Sequence, residues 1–409
     1  MRIWINNPFD PLPGEGGREL RYWLLARALV AAGHEVVWWS SDFHHMRKRK
    51  RSVERVYRSE GFEVRLVPTQ PYASNVSVGR WFSHKRYALR WERMARLAVL
   101  AGEVAKPDMI VVSMPPLGLF EAASRLRDAW DSRIAVDIQD VWPETFYMIL
   151  PQSIRHWGSR LFARCHEMAA RAYREADMVT AVCQRYADLA KEVGGRGDKP
   201  RVFRLGCKLP ELQPWDEYGS GRALRLCYVG SLGFSYDIRT MVRGVCKLAA
   251  EGLPITLDVA GGGAPWGGGA GEAAERRRSP VRFHGYLSAE ELEACMLASD
   301  VGIVPMRDAS GVAVPNKVVD YAAHGLAMVC GLSGESLELL KEYQGGVGYE
   351  PDNMESFMAA LRRYIGNAEL LTSHRAGVRR MAEELFDERL IYPEMAAVLA
   401  DMGGRGLYV

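Results

Sequence analysis

The chain is predicted to be an α/β protein built from two Rossmann-like, doubly wound domains. Three observations carry this expectation. Short apolar runs alternate with segments of helical period along the whole length. The alternation breaks once, in a stretch rich in Pro, Gly and acid at 208–221, and then restarts. The 409 residues also exceed what one hydrophobic core usually holds.

In the first half, strands are expected at 2–6, 35–41, 62–67, 109–114, 133–138, 178–183 and 201–205. Helical patterns lie between them at 17–32, 86–104, 118–129 and 155–175. In the first of these, Leu20, Trp23, Leu24 and Ala28 share one face. After the break, strands are expected at 225–230, 255–260, 281–285, 301–305 and 327–330, followed by three helical stretches from Met354 to about Met402. The domain bounds that follow are 1–208 for the first, 209–222 for a linker and 223–385 for the second. A closing helix at 386–409 is expected to return to the first domain.

Composition excludes several classes. No apolar run approaches the ~18 residues of a membrane span, and Met1 leads directly into a strand without the pattern of a secretory signal. The seven cysteines form no Cys-x-x-Cys pair and read as small buried hydrophobes in a reducing, cytoplasmic setting. Net charge is only +3, yet the first quarter carries Arg47-Lys-Arg-Lys-Arg51, then Arg80, Lys85, Arg86, Arg90, Arg93 and Arg96 interleaved with Trp81, Phe82, Tyr87 and Trp91. That mixture suits an anionic membrane surface, or a solvated loop followed by an ordinary amphipathic helix. Nucleic acid is disfavoured because no nucleic-acid-binding motif accompanies the charge.

Candidate chemistry concentrates in a few places. Asp137-Ile-Gln-Asp-Val-Trp-Pro-Glu144 follows a buried strand, and ligands of open parallel sheets bind beyond the carboxyl ends of strands. Asp140 either orients or deprotonates a substrate hydroxyl, with Glu144 as the second choice, or it caps the next turn. Trp142 offers a flat face for a sugar ring, or simply packs. Gly16 and Gly17 open the first helix, but Glu19 stands where a dinucleotide fingerprint needs its third glycine, so nicotinamide binding is not expected. Gly230, Ser231 and Gly233 either cradle a diphosphate or form a tight turn into a helix capped by Asp237. Asn316, Lys317 and Asp320 lie on one turn after Pro315, as ligands of phosphate and ribose or as a surface ion pair. No Asp-x-Asp triplet and no metal-ligand spacing occurs, so neither metal nor cofactor is expected.

Taken together, the Gly16-Gly17 loop, Gly33-His-Glu-Val36, Ser113-Met-Pro-Pro116, Asp140-Val-Trp-Pro-Glu144, Gly230-Ser-Leu-Gly233 and Pro315-Asn-Lys-Val-Val-Asp320 resemble glycosyltransferase family 4. The likeness is to its bacterial polysaccharide and lipid-linked oligosaccharide transferases with an Asp-x-Trp-Pro-Glu segment. The resemblance implies a GT-B fold, two Rossmann-like domains facing a central cleft. It implies retaining, metal-independent transfer of a sugar from a nucleotide diphosphate donor to a cell-envelope glycan or polyprenyl-diphosphate-linked acceptor. It also implies a place on the inner face of the plasma membrane. Asp320 would take the ribose, Lys317 the diphosphate, and the segment at Tyr286 the base. Three departures are Val312 in place of a frequent Glu, Ser231 and Tyr236 where many members carry Arg and Lys, and Asp137 and Asp140 in place of a frequent His. These leave open a degenerate partner subunit that binds sugar nucleotide, or nothing, and supports an active transferase; a nucleotide-sugar epimerase is the other alternative.

Overall fold

The computed structural model describes residues 1–15, 18–73, 77–150, 152–195, 197, 200–212, 222–233, 235–262, 279–307 and 310–404. The chain divides into two compact units, Met1–Gly206 with Glu388–Val409, and Cys207–Asp387. The expected linker at 209–222 is assigned to the second unit, and most of it lies outside the described residues.

Unit 1 holds an eight-stranded sheet of β1 (Arg2–Asn6), β2 (Glu35–Ser41), β5 (Val56–Ser59), β6 (Phe62–Val67), β7 (Met109–Met114), β8 (Arg133–Ile138), β9 (Met178–Ala181) and β10 (Arg201–Val202), between which a small antiparallel pair forms from β3 (Phe43–His44) and β4 (Arg49–Lys50). The spatial order is β10-β9-β8-β7-β1-β2-β6-β5, and only the edge strand β5 runs antiparallel to its neighbour. Strands β6 and β7 are buried at every residue, because helices cover both faces of a parallel sheet; this is why they read as continuous apolar runs. The closing helix Glu388–Gly404 belongs to this unit, and Ile391, Tyr392, Met395 and Leu399 pack in one core with Leu25 and Leu29 of helix Arg21–Ala31.

Unit 2 holds β11 (Leu224–Val229), β12 (Ile255–Ala260), β13 (Val281–Gly285), β14 (Val301–Val304), β15 (Ala327–Cys330) and β16 (Gly346–Gly348), all parallel, in the order β13-β12-β11-β14-β15-β16.

The structure departs from expectation in places that local pattern does not govern. The helix expected at 86–104 spans Val78–Leu100, because Ser77 caps it by accepting from the Arg80 amide at 3.1 Å. The single helix expected at 155–175 is broken into a 3-10 turn Gln152–Trp157, a short helix Gly158–Leu161 and a helix Ala163–Glu175. Gly158 lies against the Tyr147 ring so closely that a Cβ would stand 2.7 Å from Cδ1. The edge strand β5, the pair β3–β4 and the short β16 were not expected; β5 alternates between exposed and half-buried residues without an apolar face.

One buried ion pair ties the carboxyl side of the first sheet together. Asp137, the fifth residue of β8, accepts from Arg21 Nε and Nη2 at 2.7 Å each, from the Tyr22 hydroxyl at 2.8 Å and from Thr180 Oγ1 at 2.6 Å. The remaining Arg21 nitrogen donates to the carbonyls of Phe203 and Arg204 at 2.9 and 3.2 Å. Burial works to raise the Asp137 carboxyl, but Arg21 and the hydroxyl donors hold it below the usual carboxylate range. Asp137 is therefore a structural anchor and not an open carboxylate of a site, which corrects part of the reading of segment 137–144. Asp137→Ala leaves Arg21 charged and buried without its partner, and is expected to cost about 3–5 kcal/mol. Urea unfolding followed by circular dichroism reads this, and a loss below about 1 kcal/mol would contradict the anchor.

Candidate active site

Three residues past the anchor, the same loop presents a carboxylate in the opposite condition. Asp140 is half-buried, and one oxygen, Oδ2, accepts the Trp142 indole N–H at 3.1 Å. The other, Oδ1, has no hydrogen-bond partner among the described residues. Burial pushes this carboxyl up to about 6, with the Trp142 indole, Arg80 and the Val141 amide acting against the shift. Asp140 does not cap the following 3-10 turn, Glu144–Ile149, whose N-cap is Pro143. Glu144, half-buried on that turn, lies 3.6 Å from His166 Nδ1, and His166 Nε2 meets the Tyr147 hydroxyl at 2.5 Å.

Trp142 is not an open platform for a sugar. It is 7% exposed, His84 stacks on it at 5.3 Å and 23°, Phe146 meets it edge-on at 4.5 Å, and the Arg80 guanidinium sits 4.9 Å from its ring centre. Its role is to hold Asp140 Oδ2 and to present an aromatic face to Arg80.

The basic run 47–51 is not one solvated patch. Arg51 is buried and bonds to the Ser41 carbonyl, the Glu15 carboxylate and the Asp10 carbonyl, so it ties down the loop that leads to Gly16 and Gly17. Those two glycines lie outside the described residues. Lys50 pairs with Asp42 at 2.6 Å. Tyr87 and Trp91 are core residues, whereas Trp81 and Phe82 are exposed.

In unit 2 the glycines mark a tight convergence of strand ends. Gly230 ends β11 with φ +143° and Gly261 ends β12 with φ +137°, and a Cβ on Gly261 would collide with the Gly230 carbonyl. Their amides donate to Ala260 and Gly285 at 2.9 and 2.6 Å. Ser231 and Gly233 are exposed on the turn, and a Cβ on Gly233 would meet nothing, so that position does not need glycine sterically. Asp237 caps the next helix, Ile238–Ala250, by accepting from the Thr240 amide at 3.3 Å.

Lys317 stands on the first turn of helix Asn316–Ala323, is 7% exposed and aims Nζ at this convergence. Nζ lies 4.1 Å from the Tyr236 ring centre and 5.3 Å from that of Tyr228, and a Cβ on Gly230 would stand 3.2 Å from it. This excludes the surface ion pair with Asp320; Asp320 influences the amine but does not contact it as a salt bridge among the described residues. Burial pulls the Lys317 ammonium down to about 8, against Asp320. Asn316 is exposed at the head of the helix and Asp320 is half-buried one turn on. Tyr286 is 86% exposed, and its ring lies over Gly262, where any Cβ would collide with it. Neighbouring His284 bonds to Asp258 at 2.7 Å.

Each unit thus assembles its own set: Asp140, Trp142 and Glu144 in unit 1, and Gly230, Ser231, Asn316, Lys317 and Asp320 in unit 2. Sequence reasoning missed Phe9, His45, Lys48, Tyr72 and His84 around Trp142, and Tyr228 and Tyr236 around Lys317. The His44-His45 pair just before a basic run was the one available signal. Among the described residues no group of three His, Cys, Asp or Glu side chains is gathered as for a metal, and no helix is long and apolar enough to cross a membrane.

Comparison with known proteins agrees with this layout. A family model described as a glycosyl transferase 4-like domain matches residues 16–206, and one described as glycosyl transferases group 1 matches residues 223–367. The chain is a glycosyltransferase of the GT-B fold. Among solved structures it resembles a sucrose-phosphate synthase from Thermosynechococcus elongatus at 16% identity and a TM-score of 0.73, over 98% of both chains. It also resembles HepE of Anabaena in complex with UDP-glucose, at 14% identity and a TM-score of 0.63 over 98% and 100% of the two chains. A third is the catalytic domain of starch synthase IV from Arabidopsis thaliana bound to ADP and acarbose, at 13% identity and 0.66 over 99% and 98%. No curated protein matches it in sequence.

Proposed function

We propose that the protein is a retaining, metal-independent glycosyltransferase. It would move a sugar from a nucleotide diphosphate to a cell-envelope glycan or a polyprenyl-diphosphate-linked acceptor. The observation that carries the donor half is Lys317, a buried ammonium aimed at a glycine turn whose strand ends leave room only for backbone. A diphosphate placed there meets a compact positive charge and the amides of the turn and of the helix head, which is the environment that stabilises a leaving diphosphate. The diphosphates held by HepE and by starch synthase IV support this reading. Asp320 would take the ribose and Tyr286 would lie near the base. Anomeric retention and the acceptor class rest on the sequence resemblance.

Asp140 supports the acceptor half. Its orphaned Oδ1 takes the proton of the acceptor hydroxyl as that oxygen bonds to the anomeric carbon and the bond to the diphosphate breaks, the electron pair leaving with the diphosphate. Withdrawal from water keeps the carboxylate a stronger acceptor than it would be on the surface.

Thermal-shift measurements with UDP, GDP, ADP, CDP and dTDP test the donor half. One or more is expected to raise the melting temperature, and Lys317→Ala is expected to abolish the shift. Because the ammonium loses its proton near pH 8, affinity should fall as pH rises through that value in wild type and stay flat in the variant. No shift with any nucleotide would favour the partner-subunit reading. Asp140→Asn is expected to lower kcat by about 10²–10⁴-fold with the nucleotide shift intact, and wild-type turnover should fall as pH drops below about 6. A variant with full activity would remove Asp140 from the reaction.

Peripheral attachment to an anionic membrane is part of the same proposal, but its footprint moves away from 47–51. Trp81, Phe82, Trp157 and Leu161 are exposed large apolar side chains. Lys85 lies 5.7 Å from the Trp81 ring centre and Arg160 4.8 Å from that of Trp157, and Trp81 lies beside Cys165 of the neighbouring helix. Aromatic residues with adjacent cations suit the interface of an anionic bilayer. Flotation with phosphatidylglycerol vesicles should be lost in Trp81→Ser with Trp157→Ser and kept when Arg47 and Arg49 are neutralised; the reverse would restore the first assignment.

A further inference from the structure

Lys317 rests on two tyrosine rings that are held in different ways. Tyr228 lies within β11, and its hydroxyl donates to the Ser231 carbonyl at 2.5 Å. Tyr236 lies in the turn between Gly230 and helix Ile238–Ala250, where no strand fixes it. Its amide donates to the Gly233 carbonyl at 3.1 Å, its hydroxyl meets the Ser231 side chain, and it forms an antiparallel bridge with Met306 just past β14.

Arg307, the next residue, closes this arrangement. Its amide donates to the Ser235 carbonyl at 3.1 Å, and its Nη1 donates to the Tyr236 carbonyl at 2.8 Å. On the other side of the guanidinium, Nε and Nη2 donate to Asp352 at 2.8 and 2.6 Å, and Nη2 lies 3.5 Å from Asp237. Asp237 is buried, its Oδ2 accepts from the Asp352 amide at 2.6 Å, and its own amide donates to the Pro305 carbonyl at 2.6 Å. A rigid fork of N–H donors thus ties 235–237, 305–307 and Asp352 together, which a point charge could not do. Asp352 is exposed, so its ion pair with Arg307 is screened and adds little to stability. The bond to the Tyr236 carbonyl is the part with a consequence for the site.

That consequence reaches Lys317, whose Nζ lies 4.1 Å from the Tyr236 ring centre and 5.3 Å from that of Tyr228. The titratable groups facing this amine are Tyr228 from β11, Tyr236 from the turn and Asp320 from its own helix. Aromatic faces hold an ammonium without neutralising it, so its charge stays available to an incoming anion. We propose that Arg307 is a positioning residue of the donor half: it fixes the backbone of Tyr236 so that the ring seats the Lys317 ammonium over the Gly230 turn. Without this clamp the turn loosens, water reaches the amine, and the long side chain can swing toward Asp320, one helical turn away. The inference rests on the reading of Lys317 as the group that receives the diphosphate.

Two measurements on the whole protein test it. The first needs no nucleotide: NMR of protein labelled with ¹³C at lysine Cε, titrated with pH, the Lys317 signal being the one lost in Lys317→Ala. In wild type this amine should lose its proton near pH 8, where burial has pulled it. Arg307→Lys keeps a positive charge beside Asp237, but it cannot reach the carbonyl and both carboxylates together. It should move the midpoint up by about one pH unit, toward an ordinary lysine, because water then solvates the ammonium. Tyr236→Phe keeps the ring and should leave the midpoint in place. Asp352→Asn, at an exposed position, should shift it upward by less and serves as the test if Arg307→Lys does not fold.

The second measurement is calorimetric titration with whichever of UDP, GDP, ADP, CDP and dTDP gives the largest thermal shift. Arg307→Lys should weaken binding roughly tenfold in wild type but less than about twofold when Tyr236 is already Leu, because a clamp then has no ring to place. A purely structural role would give equal losses in both backgrounds. Equal losses, or a Lys317 midpoint that the clamp variants do not move, would overturn the proposal. A midpoint that moves as expected in a protein that binds none of the nucleotides would instead sink the donor reading of Lys317 and keep the clamp.

Discussion

Arg21 and Asp137 are both fully withdrawn from water, and the local architecture of unit 1 depends on their being paired. A charge buried alone is strongly unfavourable, so the pair forces four segments to meet: the start of helix Arg21–Ala31, the end of β8, β9 through Thr180, and the carbonyls of Phe203 and Arg204. Every oxygen lone pair of the carboxylate that geometry can reach is used. The consequence for function lies three residues further on, since the loop carrying Asp140 leaves the sheet from a fixed point.

Two carboxylates three residues apart, Asp137 near the end of β8 and Asp140 in the loop that follows, thus reach opposite states. Asp137 has a bidentate guanidinium and two hydroxyl donors, and is held below the usual range. Asp140 has one indole N–H and an orphaned oxygen, and is pushed up to about 6. The first arrangement stabilises a fold. The second leaves one buried oxygen of a half-buried carboxylate without a partner among the described residues, an arrangement that marks a candidate site.

Unit 2 reaches its ligand-ready state by a different route. Gly230 and Gly261 let two strand ends approach until only backbone fits, and Lys317 then fills the space above them with its amine resting on tyrosine faces. Tyr228 and Tyr236 supply the π surfaces on which an ammonium waits without a carboxylate neutralising it. An ion pair in the same place would compete with a diphosphate for that charge.

The amino-acid order by itself determined the alternation of strands and helices and the two domains, because parallel sheets buried on both faces write themselves as continuous apolar runs and tight turns as glycine; the motifs were recognised through the family resemblance. It also singled out Asp140, Lys317 and Gly230. It did not distinguish Asp137 from Asp140, since their difference lies in Arg21 and Thr180, which are remote in sequence. It placed Trp142 as an open platform, whereas His84 and Phe146 cover it, and it took Arg51 for a surface charge although Glu15 and Asp10 hold it inside. The helix expected at 155–175 is divided at Phe162, and Gly158 packs on the Tyr147 ring, another contact between separate segments. Periodicity and turn chemistry are local and so are legible in sequence. Burial, pairing and proton affinity are set by whichever distant residues arrive, and only the tertiary structure decides those.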